Sequence, residues 1–117
     1  MAKKITEEIT PRPKAKAWLV VQGGPQDGRT FPLRRRVITV GQDAQQADVV
    51  IPDATVSREH IRLKLRGDHF YLTDLASLNG VFVNDRRVNT CLLNDDDVIR
   101  LGNTTLVYKR VSPKAGL

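Results

Sequence analysis

The sequence predicts an all-β domain, either a sandwich or a closed barrel. No window of roughly eleven residues sustains a 3.6-residue apolar period. Short runs rich in Val, Ile, Leu and Thr recur instead, broken by Gly, Pro, Asn and Asp at intervals of about 8–12 residues. With 117 residues there is room for one domain and a modest core.

In order, "AWLVVQ" (17–22) is the first strand and stops at the turn cluster "GGPQDG". "RTFPL" (29–33) and "RRVITV" (35–40) follow, the latter ending at Gly41, and "DVVI" (48–51) ends at Pro52. "IRLKLRG" (61–67) alternates Ile61, Leu63 and Leu65 with Arg62, Lys64 and Arg66, the period of a half-buried strand. "HFYLTDL" (69–75), "VFVN" (81–84), "DVIRL" (97–101) and "TTLVYKR" (104–110) complete a series of nine or more. Gly67-Asp68, Asn84-Asp85 and Gly102-Asn103 are the hairpin turns. The absence of helical periodicity excludes a parallel α/β fold.

The expected domain covers residues 17–111, between disordered tails at 1–16 and 112–117. Net charge is +6, which raises nucleic acid as a partner. Residues 1–16 hold five basic and two acidic side chains, whereas residues 17–111 hold 13 basic against 11 acidic. The excess belongs to the tails, and no basic helix or aromatic-basic interleaving accompanies it, so nucleic-acid binding is a remote alternative. No apolar run approaches the roughly 20 residues that cross a bilayer, and the basic N-terminus lacks the apolar core of a secretory signal. A single cysteine, Cys91, permits no internal disulfide, and a cytoplasmic location is expected. Cys91 itself reads as a small core hydrophobe.

The stretch "VSREH" (56–60) sets a hydroxyl, a guanidinium, a carboxylate and an imidazole side by side. As a hydrolase, Ser57 and His60 would still need an orienting acid, oxyanion donors and a nucleophile elbow, and no Gly-x-Ser-x-Gly occurs. Cys91, His60 and His69 make no structural zinc set. "NDDDV" (94–98) lacks the spaced ligands and glycine of a calcium loop and reads as a solvated turn. Neither an enzyme nor a cofactor is expected. An anion site fits better: a serine hydroxyl and loop amides aimed outward beside Arg58, with Val56 and His60 turned inward.

Gly41, "DVVIPDATVSREH" (48–60), "DLASLNGVFVN" (74–84) and "LLNDDDVIRLG" (92–102), in that order, resemble a forkhead-associated (FHA) domain over about residues 17–111. The resemblance implies an eleven-stranded β-sandwich whose loops at one end bind a phosphothreonine peptide of a partner, in Ser/Thr kinase signalling. It implies that Ser57 bonds the phosphate, that Arg58 stands at the rim, and that Asn79 bonds the ligand backbone. Gly41, His60 and Gly80 become structural motif residues, with His60 bracing the loop. Three positions depart from the family pattern: Gln42 stands where an arginine usually clamps the phosphate, Leu78 where serine or threonine is common, and Val81 where threonine is common. These departures keep open an alternative, a phosphate-independent protein scaffold on the same fold. Thr6 and Thr10, in "ITEEITPRP" (5–13), are candidate phosphorylation sites, and Thr6 has Ile9 three positions later, a spacing FHA domains often read.

Overall fold

The computed structural model describes residues 15–111. The tails expected at 1–16 and 112–117, with Thr6 and Thr10, fall outside this span except for Ala15 and Lys16. Eleven strands form: β1 (Ala17–Gln22), β2 (Thr30–Pro32), β3 (Val37–Gly41), β4 (Val49–Val50), β5 (Ile61–Arg66), β6 (His69–Asp74), β7 (Val81–Val83), β8 (Arg86–Arg87), β9 (Thr90–Leu92), β10 (Val98–Leu101) and β11 (Thr104–Arg110). A six-stranded sheet in the order β2-β1-β11-β10-β7-β8 faces a five-stranded sheet in the order β4-β3-β5-β6-β9. Among the described residues there is no helix long and apolar enough to cross a membrane.

The core is the product of period-two alternation on the two facing sheets. Leu19, Leu101, Leu106 and Tyr108 from the larger sheet meet Val40, Ile61, Leu63 and Leu72 from the smaller one, all with no exposed surface. The alternate positions of β5, Arg62, Lys64 and Arg66, stand on the outer face. Cys91 is half-buried and packs against the core rather than inside it.

Two strands were not visible in the sequence. β8 has both residues exposed, and β9 has only Cys91 partly covered, so neither carries an apolar alternation. They exist because of their neighbours. The Asn84-Asp85 turn holds both residues at positive φ (51° and 67°), which folds Arg86 and Arg87 back on Val83 and Phe82. β9 then adds to the edge of β6, Cys91 opposite Leu72.

One pair, β3–β4, is parallel. Parallel neighbours ordinarily need a crossover of a dozen or more residues. Here residues 42–48 suffice because the pair is two residues long and Asp48 closes it, its carboxylate accepting the Thr39 N–H at 2.9 Å and its own N–H donating to the Thr39 carbonyl at 2.8 Å. The strands at the sheet edges are two or three residues long, which limits edge-to-edge pairing with other chains.

Candidate functional site

Three loops meet beyond the end of β3: residues 42–48, 51–60 and 75–80. The meeting requires Gly41, because a Cβ there would stand 2.0 Å from the Arg58 carbonyl oxygen. That close approach lets Gln42 N–H donate to the Ser57 carbonyl (3.0 Å) and Asp43 N–H to the Arg58 carbonyl (3.3 Å). The Asp43 carboxylate turns back into its own loop and accepts the Gln45 N–H at 2.9 Å. Gln42 itself is exposed.

His60 ties the second loop to the third from inside. It is fully buried; Nδ1 accepts the Ser57 N–H at 3.0 Å and Nε2 donates to the Gly80 carbonyl at 2.8 Å. This pairing places the ring proton on Nε2. Both nitrogens are committed to main chain, so His60 has no lone pair to offer the Ser57 hydroxyl, and the pair is not assembled as nucleophile and base.

Ser57 joins the loops again on the outside, where its Oγ accepts the Leu78 N–H at 3.1 Å. With its N–H on His60 and its carbonyl on Gln42, the hydroxyl proton is the one donor Ser57 retains. Arg58 beside it is exposed and makes no ion pair among the described residues. Leu78 is 88% exposed, an isolated apolar side chain at the mouth. The structure thus brings Gln42, Ser57, Arg58, Leu78 and Asn79 to one end of the sandwich, on a frame made by Gly41, His60 and Gly80.

Asn79 is held by residues that no sequence motif marks. Its Nδ2 donates to the Thr55 carbonyl at 2.8 Å, and the residue is exposed, with no partner for Oδ1 among the described residues. Thr55 is in turn fixed by Asp53, whose Oδ1 accepts both the Thr55 N–H (2.8 Å) and hydroxyl (2.7 Å) and whose Oδ2 accepts the Thr104 hydroxyl (2.6 Å). Asn103 N–H donates to Thr55 Oγ1 at 2.8 Å, and Gly102 is obligatory there, since a Cβ would meet that oxygen at 2.3 Å. Burial pushes the Asp53 carboxyl up, but the bonds from Thr104 and Thr55 outweigh it, and the net shift is downward. Beyond this brace opens a cavity of about 360 Å³ lined by Val21, Phe31, Ile51, Pro52, Ala54 and Asn103 among others. The Gly102-Asn103 turn was legible only as a hairpin; nothing local marks its contact with Thr55.

The two-sheet frame and this loop cluster define a forkhead-associated domain, and the chain belongs to that family. Residues 20–111 match a related family model described as the inner membrane component of T3SS, cytoplasmic domain. The chain is similar to the oxoglutarate dehydrogenase inhibitor of Corynebacterium jeikeium, 35% identical over 103 residues, which cover 88% of this chain and 71% of that protein. It is equally similar to the glycogen accumulation regulator GarA of Mycobacterium tuberculosis, 35% identical over 104 residues, covering 89% of this chain and 63% of GarA. Among solved structures, one from a study of phosphothreonine-dependent FHA domain interactions superimposes with a TM-score of 0.76 at 35% identity, covering 82% of this chain and 97% of its own. The FHA domain of FhaA, solved in complex with the intracellular domain of Rv3910, gives a TM-score of 0.73 at 36% identity, covering 80% and 99%.

Proposed function

We propose that residues 17–111 form a module that binds a threonine-phosphorylated segment of a partner protein, in the cytoplasm, as part of Ser/Thr kinase signalling, and that it performs no chemistry of its own. The observation that carries this reading is the Ser57 hydroxyl. Every other hydrogen-bonding group of Ser57 is committed to the frame, and the free O–H donor stands beside the unpaired Arg58 cation. A phosphate, with a charge of about −1.5 to −2 at neutral pH, is the ligand such a pair suits. Asn79 Oδ1 is available to the ligand backbone, and the cavity beyond Thr55 suits an apolar side chain of the same peptide. Similarity to regulators and inhibitors, rather than to enzymes, supports the same reading.

Gln42 lowers the expected affinity. A hydrogen bond to a charged group contributes roughly 1.5–3 kcal/mol, so a neutral amide in place of arginine weakens phosphopeptide binding by about ten- to a hundredfold. The test is a phosphothreonine peptide array probed with wild type and Ser57→Ala. Phosphate-dependent spots that vanish in Ser57→Ala support the reading, and spots indifferent to phosphate contradict it. A second reading, a phosphate-independent scaffold, is favoured by one observation, the 88% exposure of Leu78 at the mouth of the site. It expects binding that survives dephosphorylation and is lost in Leu78→Ser.

A further inference from the structure

β8 brings a second cation to the rim of the site. Arg87 is paired across the hairpin with Phe82, and Val88 N–H donates to the Val81 carbonyl at 3.0 Å, so the strand runs back toward the Asn79-Gly80 turn. The Arg87 guanidinium rests against Gly80. A Cβ built on that glycine would meet Cζ, Nε and Nη2 at 3.0 Å each. Gly80, with φ +76°, has its carbonyl turned inward to His60, so the guanidinium covers the outer side of the turn.

The guanidinium packs on the turn, but its charge is not answered within the fold. Arg87 is exposed and makes no ion pair among the described residues. Its natural stacking partner, Phe82, is taken from the other side by Arg100, whose guanidinium lies 4.2 Å from the ring centroid. Asn79, exposed and with no partner for its Oδ1 among the described residues, is the immediate neighbour of Gly80, its Cα about 3.8 Å away along the chain. A peptide main chain held on Asn79 therefore passes within reach of the guanidinium, and an acidic side chain a residue or two from that point closes on it in the forked geometry arginine offers to carboxylates.

We infer that Arg87 is a specificity-determining residue: it pairs with an Asp or Glu flanking the phosphothreonine on the side of the peptide that crosses Asn79, so the domain selects acidic phosphopeptides. This rests on the phosphopeptide reading above. The pair is solvent-exposed, so its effect is modest, about two- to fivefold in affinity, and larger at low ionic strength.

An oriented phosphothreonine peptide library probed with wild type, Arg87→Gln and Arg87→Lys tests the inference. The leading sequence is then synthesised with Glu or Gln at the enriched position and titrated at two salt concentrations. Wild type is expected to enrich Asp and Glu at one flanking position and to bind the Glu peptide two- to fivefold better than the Gln peptide, the ratio falling with salt. Arg87→Gln should bind both peptides alike, at the affinity wild type has for the Gln peptide, and Arg87→Lys should keep part of the preference. An acid preference unchanged in Arg87→Gln, or no acid preference in a wild type that does bind phosphopeptides, overturns the inference alone. A wild type that binds none of the phosphorylated library overturns both readings.

Discussion

His60 and Ser57, three residues apart, have opposite relations to the fold. His60→Ala leaves a part-buried Ser57 N–H and a buried Gly80 carbonyl without partners and opens a void, at a combined cost of about 3 kcal/mol. Ser57→Ala removes one exposed acceptor for Leu78 N–H and should change stability by no more than about 0.5 kcal/mol. Thermal melting and phosphopeptide titration of the two variants should therefore separate: a clear loss of stability for His60→Ala, and loss of binding with a near-normal melt for Ser57→Ala. If Ser57→Ala unfolded the domain while His60→Ala melted normally, the two roles would have to be exchanged. The pattern they sit in marks the serine and the histidine as members of one motif. That both histidine nitrogens are spent on main chain is a matter of packing, which no residue spacing reveals.

Among the elements, the loop of residues 51–60 is held from both sides, by His60 and by the Asp53 brace to β11. The brace makes a pH prediction. The Asp53 carboxyl lies below its ordinary value of 3.8, so the stability it confers is fully present above that value and is lost as pH falls through the lower, folded-state value. Asp53→Asn is expected to cost about 1 kcal/mol at neutral pH, allowing for solvent screening, and to melt with less dependence on pH below about 4 than wild type. It should also weaken phosphopeptide binding, because Thr55 orients Asn79. Equal pH slopes in the two proteins would remove Asp53 from this role. The same elements explain what the sequence could express. β1, β5, β6 and β11 bury alternate residues and were readable from end to end; β8 and β9, exposed and formed by addition to neighbours, were not. Within the site, Ser57, Arg58 and Asn79 lie in contiguous motifs. Thr55 and Asp53 are tied to the site by contacts that span distant parts of the chain, with Asn79 reaching back 24 residues and Thr104 reaching 51, and Arg87 reaches Gly80 only because the β7–β8 hairpin folds back.

The loops that gather Ser57, Arg58 and Asn79 lie at the end of the sandwich opposite the start of β1, where Ala17 pairs with Arg110. From Thr6 to Trp18 is a span of at most about 40 Å fully extended. A phosphorylated Thr6 would reach the site of a second molecule more readily than its own. Phosphorylation at Thr6 is therefore expected to produce a concentration-dependent dimer in sedimentation, whereas equal monomers before and after phosphorylation would dismiss tail capture. Whether these loops form a phosphate site lacking its strongest cation is decided at Gln42, which is exposed at the head of the loop and hydrogen-bonded to Ser57 through its main chain. Wild type and Gln42→Arg are titrated with the same peptide in phosphorylated and plain forms. Wild type should prefer the phosphorylated form weakly, and Gln42→Arg should bind it at least about tenfold tighter, with steeper salt dependence and almost no gain for the plain peptide. No phosphate preference in wild type together with no phosphate-specific gain in Gln42→Arg would rule out a phosphate site and leave a phosphate-independent scaffold in its place.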